Sequence, residues 1–245
     1  MIEPSLKHYS EFKEILSSYQ VSSHARDVLN GLKLVLLLAP TSAGKNTIIR
    51  HQIATGRYYN LISDTTRPPR VNDGVQEQDG VEYWFRTEEQ MLADLRAGGF
   101  LEAEIIHGQQ VSGISIRELE KAKAANQIAI TDVDPEGVRN ILQAKPDTLA
   151  VMLVPPNYDE WQRRLASRGK MRPDERRRRL ETAAKIFADG LKQDSYHFVI
   201  SENVEQSSSI IDAIVEGKAN PHQGRARDII QQLQSRLRDE LGDTY

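Results

Sequence analysis

Apolar residues recur at helical spacing over roughly residues 5–30, at Leu6, Tyr9, Phe12, Ile15 and Leu16, with Val28 and Leu29 extending a second short helix. From Leu32 the pattern changes to alternating strand and helix. Residues 32–38 are apolar on both faces, the mark of a strand buried inside a parallel sheet. A helix is predicted from Thr47 to Ala54. Thr87-x-x-Gln90 is a capping-box signature, and Gly98-Gly99 stops the helix that it opens. A strand follows at residues 100–106. Ser115-x-x-Glu118 is a second capping-box signature, opening a helix that runs to about Ala125. Further strands are predicted at residues 128–131, 148–154 and 198–201. Between them, Asp134-Pro135 and Asn157 start helices, the latter reaching Arg168, and residues 176–191 form a long helix. Such alternation predicts an α/β fold with a parallel sheet flanked by helices. After about Gly217 the chain turns polar. A last segment then places Ile229, Ile230, Leu233, Leu237 and Leu241 at helical spacing, to pack on the domain or, alternatively, to form a homodimer. Three parts result: an N-terminal helical extension (1–31), a main domain (32–217) and a C-terminal helical extension (218–245).

Composition narrows the class. The chain has 245 residues and no cysteine, which excludes disulfides, Fe–S clusters and thiolate-bound zinc. A net charge of -3 gives no global reason to expect a nucleic-acid partner. The first residues lack the basic-then-apolar profile of a signal peptide, and the longest strongly apolar run, 34–39, is far too short to span a bilayer. A soluble cytoplasmic protein with no membrane partner is expected.

The first strand runs into Pro40-Thr41-Ser42-Ala43-Gly44-Lys45-Asn46-Thr47. A strand, a small-residue turn and a helix start point backbone N–H groups at phosphates, and a Lys neutralises their charge. The phosphate-loop pattern asks for Gly at Ala39 and for Ser or Thr at Asn46. The hydroxyl at the second position usually serves Mg2+, but an amide oxygen is also a hard ligand that this ion accepts. Asp132, at the end of the apolar strand 128–131, has the placement of a carboxylate that positions Mg2+.

Next comes Ser63-Asp64-Thr65-Thr66-Arg67-Pro68-Pro69-Arg70, and then Gly80-Val81-Glu82-Tyr83-Trp84-Phe85. Arg67 and Arg70 flank a stiff Pro-Pro and form a pair of guanidinium forks suited to one phosphate group. Here the chain resembles the guanylate kinase family, whose T-T-R-x-P-R and G-x-x-Y-x-F segments grip the phosphate of GMP. The resemblance continues through Gly98-Gly99-Phe100-Leu101-Glu102 and Thr131-Asp132-Val133-Asp134-Pro135-Glu136-Gly137. It then covers Arg164-Leu165-Ala166-Ser167-Arg168-Gly169, Arg179-Leu180 and Val199-Ile200-Ser201-Glu202-Asn203, in order, from about 32 to 216.

The resemblance implies a P-loop nucleoside monophosphate kinase fold, with an acceptor-binding part at about 62–115 and a helical lid at about 163–182. It implies ATP and GMP as substrates and Mg2+ as cofactor. By the same resemblance Lys45 and the loop from Pro40 to Thr47 hold ATP. Ser63 lies near guanine O6. Arg67, Arg70 and Tyr83 bind the GMP phosphate. Glu102 and Asp134 accept from guanine N1–H and N2–H2, and Asp132 holds the metal's water shell. Arg168 and Arg179 close from the lid, joined by Arg164. Lid chemistry needs cations beside a transferring phosphoryl group, whereas most of 176–178 reads as a solvated helix face.

Three segments depart from the family; in the lid, the usual acidic and Thr residues after Arg168-Gly169 become Lys170-Met171-Arg172-Pro173. G-x-Y-Y-G-[ST] is replaced by Gly108-Gln109-Gln110-Val111-Ser112-Gly113-Ile114-Ser115, which lacks both tyrosines and leaves Ser112 or Ser115 to supply a hydroxyl. An insertion occupies residues 71–79. Two alternatives follow from these departures: a binding module with little turnover, and a same-fold kinase acting on another phosphorylated small molecule.

Overall fold

The run Leu-Val-Leu-Leu-Leu from Leu34 to Leu38 is buried at every position in the computed structural model, which describes residues 5–72, 74–167, 169 and 171–242. Helices α1 (Tyr9–Ser17) and α2 (Ser23–Leu29) precede this strand, β1 (Leu34–Leu38), and α3 (Lys45–Ala54) follows it. Short strands come next: β2 (Tyr58–Asn60), β3 (Asp64–Thr65), β4 (Val71–Asn72), β5 (Val75–Gln76) and β6 (Trp84–Phe85). Then come α4 (Glu88–Arg96), β7 (Phe100–Ile106), β8 (Gln110–Ser115), α5 (Ile116–Ala124), β9 (Ile128–Asp132) and α6 (Pro135–Ala144). The chain ends with β10 (Leu149–Val154), α7 (Tyr158–Ala166), α8 (Pro173–Lys192), β11 (His197–Ile200), α9 (Val204–Val215) and α10 (Gln223–Leu241). It divides into two compact units.

The first unit comprises Met1–Lys33, Tyr59–Ala129 and Arg139–Asp147. Its sheet has the order β6-β3-β8-β7, with β7 and β8 antiparallel. Helices α1 and α4 cover one face: Phe12, Met91, Leu92 and Leu95 form a core with Phe100 and Val111. Helix α1 therefore packs on the sheet, and α2 packs against α5. Tyr19 fixes the N-terminal segment, donating to the Phe100 carbonyl (2.8 Å) and accepting from its N–H (3.0 Å). Thr87 and Gln90 form the expected capping box. The insertion folds as a hairpin of β4 and β5, turned by Gly74 in the left-handed region (φ 80°), where a side chain is disfavoured.

Ser115-x-x-Glu118 is not a capping box. Ser115 precedes α5 without a side-chain cap bond, and its hydroxyl is buried with no partner. Glu118 is fully buried and accepts from Ile62 N–H (3.1 Å), Trp84 Nε1 (3.1 Å), Tyr59 OH (3.3 Å) and Lys121 Nζ (2.7 Å). A carboxylate that meets donors from outside its own helix serves them instead of the helix start, since a buried charge must be hydrogen-bonded.

The second unit comprises Leu34–Tyr58, Ile130–Val138 and Thr148–Tyr245. The larger sheet has the order β11-β10-β1-β9-β2. Within it β1, β10 and β11 are parallel, with Val35 opposite Leu149 and Met152 opposite Phe198. Helix α10 packs on α8 and β11, burying Ile229, Ile230, Leu233, Leu237 and Leu241 inside its own chain. Helix α8 begins earlier than its hydrophobic pattern predicts, because Pro173 occupies the first helical position. Helix α7 ends at Ala166, short of Arg168, which lies outside the described residues. Arg177 and Arg178 pair with Glu181 (2.9 Å) and Asp174 (3.2 Å) along their own helix. Arg176 differs from a solvated residue: it binds Glu240 of α10 and Gln162 (2.7 Å).

Candidate active site

The second unit holds the turn and lysine expected to bind the ATP phosphates. After β1 the backbone turns through Pro40–Gly44, and α3 starts at Lys45 with Gly44 as its N-cap at φ 92°. Only glycine takes that angle without strain. Thr47 and Ile48 N–H donate to the Gly44 carbonyl (3.1 and 3.0 Å), and the Lys45 and Asn46 N–H groups before them have no carbonyl within the helix, so the turn presents donors and a positive dipole end. Trp161 Nε1 donates to the Thr41 carbonyl (2.8 Å), and Ala43 N–H closes onto the Pro40 carbonyl (3.2 Å). Lys45 Nζ lies 2.8 Å from an Asp132 carboxylate oxygen at the end of β9. A cleft of about 280 Å3 adjoins the turn, lined by Ser42, Gly44, Thr47, Arg164, Ser201 and Asn203 among others.

Ser42 is unusual within this turn. Its φ is 67°, a left-handed angle that costs a residue with a Cβ roughly 1–3 kcal/mol. Its hydroxyl is buried and has no hydrogen-bond partner.

Of the arginines expected in a lid, the two that lie within the described residues, Arg164 and Arg179, are held by carboxylates one turn earlier. Arg164 Nε donates to Glu160 (2.7 Å), and its Nη1 reaches Ser201 Oγ (3.3 Å). Arg179 pairs with Glu175 at 2.6 Å, with both partners about one-third exposed. For a metal, the half-exposed Asp132 carboxylate and the exposed Asn46 and Thr47 offer hard oxygen donors. Among the described residues no group of three or more His, Cys, Asp or Glu could hold a metal ion. This sparse oxygen set fits Mg2+, which takes one or two protein ligands and fills its sphere with waters and substrate phosphates.

The first unit gathers the residues expected for an acceptor phosphate. Arg67 is 8% exposed, and its fork meets Glu77 bidentately at 2.5 and 3.0 Å. Glu77 holds the guanidinium pKa above its ordinary value. Tyr83 stacks beneath Arg67, 4.6 Å from the guanidinium carbon to the ring centre. Arg70 is exposed. Its N–H donates to the same Glu77 (2.9 Å), and its side chain reaches Gln110 Oε1 (3.4 Å). Gln110 in turn donates to Ser112 (3.3 Å), whose hydroxyl donates to Thr65 Oγ1 (2.8 Å). A polar relay thus stands where the family's tyrosines are absent. Ser63 lies just before β3, and its carbonyl accepts from Trp84 N–H (2.9 Å).

Glu102 sits on β7 and lines a cleft of about 570 Å3 with Tyr19, Gln20 and Arg26 of the N-terminal segment. In the second unit, Asp134 is exposed, and one of its oxygens accepts from Gly137 N–H at the start of α6 (2.7 Å). Asp64 is fully buried beside Arg117 (2.9 Å), and burial pushes its pKa up to about 6 against the pull of Arg117 and Arg86.

Sequence reasoning missed Glu77, Gln110 and the N-terminal segment as neighbours of these groups. Glu77 had a readable signal, a carboxylate in a turn-rich insertion beside two arginines. Gln110 and the segment at Tyr19–Arg26 had none, because strand register and helix docking place them.

The chain matches the guanylate kinase family model over residues 31–218. The guanylate kinase of Bifidobacterium longum is 32% identical to it over 188 residues, covering 75% of this chain and 93% of that protein. That of Corynebacterium diphtheriae is 35% identical over 190 residues, covering 76% and 95%. The crystal structure of guanylate kinase from Anaplasma phagocytophilum superimposes with a TM-score of 0.56 at 21% identity, covering 76% of this chain and 85% of that one, a likeness of fold.

Proposed function

This chain belongs to the guanylate kinase family, and we propose how its own residues divide the ATP-dependent phosphorylation of GMP to GDP. One observation carries the donor side: Lys45, at the first turn of α3 beside a loop of small residues, lies 2.8 Å from Asp132. The loop from Pro40 to Thr47 binds the ATP phosphates through its N–H groups, and Lys45 neutralises them. Asp132 and Asn46 would hold Mg2+ or its waters, and the ion when bound supplies positive charge to the transferring phosphoryl group. Arg164, Arg168 and Arg179 stabilise the charge that spreads over its oxygens. No covalent intermediate is required. Positioning and electrostatics carry the rate.

On the acceptor side, Arg70 is the exposed fork for the GMP phosphate. Arg67, held by Glu77 and Tyr83, sets the position of the Arg67–Arg70 turn and adds its charge. Ser63, Glu102 and Asp134 read the guanine edge. Carboxylates accept from N1–H and N2–H2, donors that adenine does not present in that pattern. Residues 1–31 and 218–245 are extensions to the kinase domain, a division supported by a family match that spans 31–218. Among the described residues no helix is long and apolar enough to cross a membrane, and a cytoplasmic location fits the absence of cysteine.

The Ser112–Gln110 relay in place of tyrosines favours one competing reading, a same-fold kinase with another phosphorylated acceptor. A coupled ADP-release assay with GMP, dGMP, AMP, CMP and UMP decides between them. Turnover with GMP or dGMP well above the others is expected. Rates indifferent to the base, or no turnover with any of the five, would overturn the assignment.

A further inference from the structure

Ser42 carries two unfavourable features at one position. Its backbone stands at φ 67°, in the left-handed region where glycine is the comfortable residue. Its Oγ is buried, with the residue 9% exposed, and finds no hydrogen-bond partner in the protein. Strained angles persist where the surrounding structure or a ligand requires them. Buried hydroxyls are nearly always paired, so an orphan calls for an explanation.

The surroundings supply one. Ser42 lines the cleft of about 280 Å3 with Gly44 and Thr47 on the loop side and Arg164 on the other. It lies three residues before Lys45, whose ammonium is the charge of the loop. A hydroxyl hydrogen rotates freely to suit an acceptor. Beside the unpaired N–H groups of a helix start, the acceptor that fits is an anionic oxygen.

We propose that the Ser42 hydroxyl donates a hydrogen bond to a phosphate oxygen of the donor nucleotide, as a side-chain addition to the backbone cradle. The inference rests on the reading of this loop as the ATP site and adds a specific donor to it. The strained angle then has a function: it keeps a hydroxyl-bearing side chain in the turn at a place where glycine would leave only backbone.

The test is calorimetric titration of the full chain with the magnesium complex of the β,γ-imido analogue of ATP, without turnover, on the natural chain, Ser42→Ala and Ser42→Gly. Loss of a hydrogen bond to a charged group predicts a Kd higher by roughly tenfold in both variants. Unfolding midpoints of the nucleotide-free proteins are read in parallel. Ser42→Ala is expected to leave the midpoint unchanged or higher, because it removes an unpaired buried hydroxyl. Ser42→Gly is expected to raise it through relief of the backbone angle. Thr148→Val is the control: it removes another buried, unpartnered hydroxyl, one just before β10, and should leave nucleotide affinity unchanged. Natural-chain affinity in Ser42→Ala overturns the inference alone, as does a lower midpoint in that variant, which would reveal a structural partner. Failure of the natural chain to bind the analogue overturns the ATP-site reading and this inference together.

Discussion

Lys45 and Asp132 meet at 2.8 Å, the first residue of α3 against the last residue of β9. The cation is 23% exposed and its carboxylate partner 51%. The lysine is therefore aimed by the fold while remaining accessible to a substrate. Lys45→Ala is expected to lower kcat by on the order of 10²–10³-fold, the usual effect of removing one group that stabilises transition-state charge. The far-UV spectrum and unfolding midpoint should stay near those of the natural chain. Near-normal turnover in the folded variant would refute the role of Lys45.

The Arg67–Glu77 pair is a different case, because both partners are only 8% exposed. Leaving one buried charge unpaired typically costs about 3–5 kcal/mol. Glu77→Ala should lower stability by a few kcal/mol in urea unfolding. The double variant Arg67→Ala with Glu77→Ala should be less destabilised than the sum of the two single changes. Additive single effects would show that the two side chains do not interact.

Base selection is expected to rest on Glu102. A site built to accept from guanine leaves buried polar groups unpaired when adenine enters, and such mismatches reach roughly 10⁴-fold in kcat/KM. Glu102→Gln replaces one acceptor oxygen by a donor that opposes the guanine donors. The GMP:AMP ratio of kcat/KM should fall by about tenfold or more, since each 1.4 kcal/mol is a factor of ten. An unchanged ratio would remove Glu102 from base recognition.

Asp64 provides a pH test. Burial raises its folded pKa from 3.8 to about 6. The folded chain therefore holds a proton that the unfolded chain releases over that interval. The resulting stability is fully present below the unfolded value and is lost as pH rises through about 6. The rise from 3.8 to about 6 bounds the effect at about 3 kcal/mol. Asp64→Asn lacks this component. Between pH 3.5 and 7.5 the natural chain should lose more stability than the variant, by up to that amount, in paired urea titrations. Parallel pH profiles for the two proteins would contradict the raised pKa.

The elements legible along the chain were those whose signals are local. The buried run of β1, the glycine and lysine that open α3, the Thr87–Gln90 box and the Asn157 cap all act within a few residues. Their conformations follow from sterics and nearby hydrogen bonds, and the turn between β1 and α3 was readable for that reason. Ser115-x-x-Glu118 carries the same signature as a true box and fails, because Glu118 is claimed by Tyr59, Ile62 and Trp84, far from it along the chain. Arg67 was readable as a cation suited to phosphate, but its pairing with Glu77 requires the hairpin of β4 and β5 to fold back. Gln110 reaches Arg70 through strand placement, and the segment from Tyr19 to Arg26 reaches the Glu102 cleft through helix docking. Ser42 marks the same boundary at a single residue. Its identity is in the sequence, but its left-handed angle and its orphaned hydroxyl exist only once β1, α3 and Trp161 fix the turn around it. Local chemistry chooses conformations within a few residues, whereas burial and long-range pairing decide which of the competing polar partners each side chain finally meets.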